Sequence, residues 1–190
     1  KVKEVLAHYT DLQRWIPFYL RTMENGIPDP ELYSADSSET YSVRVAKNMF
    51  TKPSVADTMF HVIYNSQLKS SKQYRYSDLG FYLFKNLVEE VSGARLDTFA
   101  TENFYKPMGL NSLVFNPLNK FEISEIVPTE NDTHFRKQLV HGYVHDYGAA
   151  MLGGVGGHAG LFGNANDLAT LMQMYLQKGY YGGIEYLSPE

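Results

Sequence analysis

The sequence predicts an α+β fold, mostly helical, with a minority of strand. Three observations carry that expectation. Apolar residues recur at helical spacing in several windows bounded by capping or stop residues, while alternating runs are few and short. The composition is that of a globular chain, with 190 residues, 44% hydrophobic, 20% charged and 14% aromatic, enough to bury a core. There is no internal repeat, no low-complexity tract and no linker strong enough to divide the chain. Residues 1–190 therefore read as one domain, or part of one.

Each element follows from local chemistry. Residues 1–9 read as the end of a helix that stops near Thr10-Asp11, and Val2–Leu6 looks already under way with no capping residue before it. Trp15–Tyr19 is an apolar cluster interrupted by Pro17, which favours an ordered loop. Residues 25–40 are turn-rich and polar and read as a long loop, and Tyr41–Ala46 alternates as a short strand would. Ser54 is expected to cap a helix with Val55, Met59, Val62 and Ile63 on one face. The best-defined helix is Asp78–Val91, preceded by Ser77 and stopped by Gly93. Asp97 opens another through about Tyr105, closed by Pro107 and Gly109, and Ser112–Phe115 and Glu122–Val127 are strand candidates. Seven glycines fall between Gly148 and Gly163; a helix follows from Asn164 or Asn166 through Gln177, ended by Gly179. Ile184–Pro189 reads as the lead-in to another element, so the chain is expected to be a piece of a longer protein, truncated at both ends.

Charge and composition exclude several functions. Net charge is −4, with both signs scattered, which argues against a nucleic-acid partner. The absence of cysteine excludes disulfides, thiolate zinc sites and cysteine nucleophiles. No apolar run approaches the roughly 20 residues of a membrane span.

Four constellations could carry chemistry. Tyr76-Ser77-Asp78 stands before the strongest helix, where positive partial charge stabilises a phenolate and suits an acid; the alternative is a cap with a packing tyrosine. In Gly156-Gly157-His158-Ala159-Gly160-Leu161-Phe162, small residues around one histidine let a ligand approach the backbone; the alternative is a turn with an incidental histidine. His141 and His145 have the H-x-x-x-H spacing that puts two metal ligands on one helix face, though Gly142 and Val144 are poor helix formers and no glutamate follows His141. Ser66-Gln67-Leu68-Lys69 is a literal S-x-x-K, but it lies in a polar stretch that reads as loop.

Taken together, these motifs resemble the penicillin-recognising serine hydrolases, the family of class C β-lactamases, D-alanyl-D-alanine carboxypeptidases and related esterases. The resemblance rests on Tyr76-Ser77-Asp78-Leu79-Gly80, on His158-Ala159-Gly160-Leu161-Phe162 leading into Asn166-Asp167-Leu168-Ala169, and on Val5–Leu12, similar to the signature LLTHTSGL. Val144-His145-Asp146 and Asn103–Leu110 fit as well. It implies a mostly helical fragment of the β-lactamase/transpeptidase-like fold with a minor antiparallel sheet, and an acyl-enzyme acting on ester, β-lactam or D-amino-acid peptide substrates without a cofactor. By resemblance Tyr76 matches the Y-x-N tyrosine, with Asp78 where asparagine is usual; an ionised Asp only accepts hydrogen bonds, which favours the esterase reading. His158 matches the cation of an H-x-G strand, Gly160 keeps that strand open, and the Leu161 N–H corresponds to an oxyanion donor. The family's S-x-x-K lies before the LLTHTSGL segment, so the nucleophile is expected upstream of Lys1, and Ser66 is set aside. The resemblance is strongest to Bacteroidetes-type proteins, some fused behind a family 3 glycoside hydrolase domain, and implies a periplasmic or cell-envelope location with cell-wall peptide among the substrates. Two rival readings remain: a non-catalytic binding module of the same fold that recognises cell-wall peptide or a partner protein, and a metal-dependent hydrolase using His141, His145 and His158. As an isolated piece with unpaired apolar surface, the chain is expected to be marginally stable or to self-associate.

Overall fold

Helix α1 (Val2–Leu6) opens a computed structural model that describes residues 1–69 and 73–188. It stops where His8 takes a left-handed backbone, φ 53°. A 3-10 turn at Phe18–Thr22 follows Pro17. Strands β1 (Met23–Glu24) and β2 (Ile27–Pro28) then form an antiparallel hairpin. Its turn is Asn25-Gly26, with φ of 52° and 77°, a pair that takes positive φ readily and matches the strand twist. The stretch expected to be loop therefore contains β2 and also β3 (Tyr33–Ser34); strands of two residues are too short to show alternation. Strand β4 (Val43–Ala46) falls inside the expected strand, and β5 (Met49–Thr51) returns beside it to give the antiparallel order β3-β5-β4.

Helix α2 (Ser54–Tyr64) buries Val55, Met59, Phe60 and Ile63. Ser54 lies inside its first turn and does not cap it: Pro53 holds the cap position and no side chain closes that end. Helix α3 (Leu79–Ser92) starts after Asp78 and ends on Gly93 at φ 68°. Helix α4 (Leu96–Ala100) runs into a wider π-type turn at Thr101–Tyr105. Strand β6 (Val114–Phe115) is shorter than expected, and the strand expected at 122–127 is absent. A 3-10 turn at Ile123–Glu125 takes its place because the Glu125 carboxylate reaches back to the Glu122 N–H at 2.9 Å. The strands form just beyond it, as the antiparallel hairpin of β7 (Pro128–Asp132) and β8 (Gln138–His141).

Within the glycine-dense stretch the chain makes a short helix, α5 (Tyr147–Met151), and strand β9 (Leu161–Phe162), which pairs with β6. Asn164 caps α6 (Ala165–Leu176), accepting the Asp167 N–H at 2.8 Å. Gly182-Gly183 then turns β10 (Tyr180–Tyr181) back as β11 (Ile184–Glu185). The strands among the described residues gather into one three-stranded and four two-stranded antiparallel sheets.

The main core joins one face of α2 and the start of α3 to β4, β5 and α5, with Phe135 fully enclosed. A smaller core under α6 collects Met108, Leu110, Leu113 and Met174. Helix α1 lies on α3 at Gly80, where a Cβ would come within 2.4 Å of Val5. That contact brings the α1–His8 corner against the start of α3.

Candidate active site

The entrance to α3 is held by the segment after α1. The Arg75 N–H donates to the His8 carbonyl at 2.9 Å, the Ser77 N–H to His8 Nδ1 at 3.1 Å, and the Asp78 N–H to the Arg14 carbonyl at 3.2 Å. Ser77 is buried: its hydroxyl donates to the Gln13 carbonyl at 2.6 Å and accepts the Leu79 N–H at 3.3 Å. Ser77 is thus spent on structure. Tyr76 points outward, 59% exposed, with its ring 4.4 Å from the His8 imidazole. Burial, the largest influence, raises the Asp78 pKa; the charge of Asp146 adds to this, while His158 and His8 oppose it.

Those influences put Asp78 within electrostatic reach of a second group of residues. His158 Nε2 lies 2.8 Å from Asp146 Oδ1, and the His158 ring stacks on Tyr82 of α3, centroids 3.9 Å apart. Asp146 caps α5, accepting the Ala149 N–H at 2.7 Å. Burial alone would raise the Asp146 pKa, but the hydrogen bond and charge of His158, with backbone amides, hold it below the usual carboxylate range. An ionised Asp146 can only accept, so Nε2 carries the proton. His158 Nδ1 is buried without a partner.

Asp146 is itself positioned from β7 and the turn after it. Arg136 donates to the carbonyls of Val144 at 2.6 Å and His145 at 2.9 Å, the two residues before Asp146. The guanidinium also binds Asp132 at 2.8 Å and Glu130 at 2.5 Å. Burial would raise the Asp132 pKa, yet the Arg136 side chain and three backbone N–H donors drive it well below the usual range.

The structure brings some of the expected residues together and separates others. Asp78 and His158 share one electrostatic cluster with His8 and Asp146. Tyr76 makes no hydrogen bond or ring contact with His158 among the described residues. The expected H-x-G strand does not form: His158, Ala159 and Gly160 all lie outside any strand, and β9 begins only at Leu161. The reason is close backbone packing. Gly160 has φ 117°, and a Cβ there would sit 2.3 Å from the Gly154 carbonyl. The His158 side chain is only 3% exposed, so it faces inward and does not present a surface cation. Leu161 and His158 border an apolar groove of about 570 Å³ that Phe81, Phe84 and Val88 of α3 also line.

Two other constellations come apart. Ser66 follows the end of α2 and Lys69 is exposed in coil, so no helical turn aligns them, and the buried Ser66 hydroxyl has no partner. His141 and His145 do not share a helix: His141 ends β8 with Nε2 on the Ile126 carbonyl, and His145 is 3.4 Å from Glu130 in a loop. No group of three His, Cys, Asp or Glu side chains with metal-binding geometry occurs among the described residues. Sequence reasoning singled out neither Asp146 as the partner of His158 nor His8 as the support of Tyr76. The only signal for either was its place in a family-like segment.

A family model described as Beta-lactamase matches residues 10–186. A protein named "Putative D-alanyl-D-alanine carboxypeptidase" from Escherichia coli is 42% identical over 127 residues, 60% of this chain and 29% of that protein. Its counterpart from Salmonella schwarzengrund is 38% identical over 122 residues, 58% of this chain and 28% of that one. The chain thus spans less than a third of the length of the curated relatives it matches. Among solved structures, a D-stereospecific amidohydrolase from Streptomyces sp. aligns with TM-score 0.56 at 14% identity, covering 94% of this chain and 47% of that one. A D-amino acid amidase from Ochrobactrum anthropi aligns with TM-score 0.52 at 11% identity, covering 93% and 44%. At these identities the structural likeness is one of fold.

Proposed function

Since this chain belongs to the beta-lactamase family, we propose that it forms part of the active site of a serine hydrolase working through an acyl-enzyme. Substrates of this reading are esters, β-lactams or D-amino-acid peptides. The observation that carries it is Tyr76: an exposed phenol, seated on His8, three residues before the start of a helix whose next turns pack into the core. Its partner serine lies upstream of Lys1 in this reading, because the family's S-x-x-K precedes the segment that Val5–Leu12 resembles; Ser77 is spent on structure and Ser66 has neither base nor helix.

In the proposed reaction the serine Oγ bonds to the substrate carbonyl carbon. Tyr76 accepts the serine proton and returns it to the leaving group as the scissile bond breaks; water then releases the acyl group by the reverse relay. The Leu161 N–H is proposed as an oxyanion donor, a role worth about 3–4 kcal/mol of barrier, with Gly160 keeping the turn before it tight. His158, enclosed by Asp146 and Tyr82, acts by holding that turn against α3. Asp78 occupies the position that would face the substrate carbonyl; as a carboxylate it offers no N–H, which supports esters over amides. Against that preference, the relatives named "Putative D-alanyl-D-alanine carboxypeptidase" support a D-alanyl peptide, an amide, as the competing substrate; cell-wall peptide, a cell-envelope location and fusion to a glycoside hydrolase domain enter this proposal through the family resemblance. No helix among the described residues is long and apolar enough to cross a membrane.

The test is intact-mass analysis after a serine-reactive fluorophosphonate, on this chain and on the full-length protein. Labelling of the full-length protein alone, at a serine outside residues 1–190, is expected. Labelling at Ser66 in both would restore the local motif, and labelling of neither would favour the non-catalytic binding module.

A further inference from the structure

We infer that His8 is the positioning residue for Tyr76. The inference rests on the reading of Tyr76 as the proton-transfer group, but the contacts that carry it stand by themselves. His8 holds the residue before Tyr76 through its own carbonyl, which accepts the Arg75 N–H at 2.9 Å. It holds the residue after Tyr76 through Nδ1, which accepts the Ser77 N–H at 3.1 Å. It holds Tyr76 itself through its ring, 4.4 Å away with the planes 33° apart. One residue thus fixes the backbone on both sides of the tyrosine and the plane of its ring. No hydrogen bond to the Tyr76 hydroxyl forms within the described residues, so that end is left for a substrate and a nucleophile.

The backbone argues that the imidazole is there for a purpose. His8 sits at φ 53°, where glycine or asparagine is at ease and most L residues are strained. Asparagine could take that φ and accept the Ser77 N–H through its amide oxygen, but it has no aromatic face for Tyr76. Accepting at Nδ1 puts the proton of the neutral imidazole on Nε2. Phe81, at 5.3 Å, and Tyr74, at 6.3 Å, flank the imidazole, and Asp78 is the charged group coupled to it. The result is a ring clamped on several sides whose free face carries the tyrosine. A proton relay needs its hydroxyl fixed to within a fraction of an ångström, and a tyrosine exposed at 59% has little else to fix it.

The test separates the clamp from the chemistry. In this chain, NMR with ring-labelled tyrosine, assigned with Tyr76→Phe, reads the position of the Tyr76 ring, and amide exchange reads the Ser77 bond. His8→Asn is expected to keep Ser77 exchange within threefold of wild type while displacing the Tyr76 ring resonances as the imidazole ring current is lost. His8→Ala is expected to raise Ser77 exchange at least tenfold. Should His8→Ala fail to fold, the His8→Asn spectrum decides alone. Tyr76 resonances unchanged in His8→Asn would overturn the clamp. In the full-length protein, His8→Asn is expected to lower kcat about tenfold with KM within twofold, because the group it misplaces acts in the chemical step. A rise in KM with kcat unchanged would overturn the positioning role. Full turnover by Tyr76→Phe would overturn the reading of Tyr76 and the service His8 gives it, while leaving the NMR result in place.

Discussion

At the scale of single residues, Asp78 and Asp146 titrate in opposite senses within one cluster. Burial leads in raising the Asp78 pKa. The folded state therefore holds that proton more tightly than the unfolded chain, and stability falls as pH rises from the ordinary aspartate value through the folded one. Asp78→Asn removes that loss, so the variant is expected to be more stable than wild type in urea unfolding at pH 7 and indistinguishable from it at pH 3. Equal stability at both would show a solvated Asp78. The Asp146 pKa is lowered despite its burial, so its contribution is present above the ordinary aspartate value and is lost as pH falls through the folded one. Below pH 4 both proteins should therefore lose stability together. Much of this cluster was legible in the sequence: Asp78 and His158 stand in recognisable local patterns. Their supports were not. His8 meets Ser77 across 69 residues and Asp146 meets His158 across 12, and no periodicity encodes a contact between a corner, a helix cap and a turn.

At the scale of elements, the glycine run works by letting a turn lie directly on α3. A Cβ on Gly157 would sit 2.1 Å from the Phe81 carbonyl, and one on Gly148 would sit 1.7 Å from the Tyr82 hydroxyl. The two clashes differ in kind, because the first is with backbone and the second with the tip of a side chain. Gly148→Ala is expected to destabilise by about 1–3 kcal/mol, as overpacking does. Adding Tyr82→Phe should recover part of that loss, since the nearest remaining atom, Tyr82 Cζ, would be 3.0 Å away. Gly157→Ala should gain nothing from Tyr82→Phe. Additive losses in the Gly148→Ala, Tyr82→Phe double variant would show that the hydroxyl is not the obstacle. The same contrast explains which elements could be read in advance. Helices α2, α3 and α6 carry enough turns for their apolar faces to repeat, and Gly93 marks the stop of α3. The two-residue strands have no room for a period, and β7 and β8 are set by a hairpin whose turn is built on the Asp132–Arg136 contacts. The turn at 123–125 is not legible in the sequence because a glutamate bond to backbone outcompetes the β propensity of Ile123 and the neighbouring Ile126.

At the scale of the whole molecule, apolar side chains gather on the surface in two places. The groove over α3 is lined chiefly by apolar side chains. Helix α6 exposes Leu168, Met172, Tyr175 and Leu176, spaced to form one stripe, while it buries only Met174 fully. A stripe of this kind on a helix marks a contact surface. On its own the chain is expected to satisfy that stripe with a second copy. Apolar burial contributes roughly 25 cal/mol per Å², against an association cost of about 4–15 kcal/mol, so the contact should be weak and depend on concentration. Sedimentation velocity over a hundredfold concentration range should show the wild-type coefficient rising, and Leu168→Lys with Leu176→Lys should hold it at the monomer value. Those leucines are 49% and 79% exposed, so the charges enter at little cost to the fold and a lost association reports on the stripe itself. Association that persists in the double variant would move the contact to the α3 groove, and a wild-type chain that stays monomeric throughout would show that neither surface is sticky enough to need a cover.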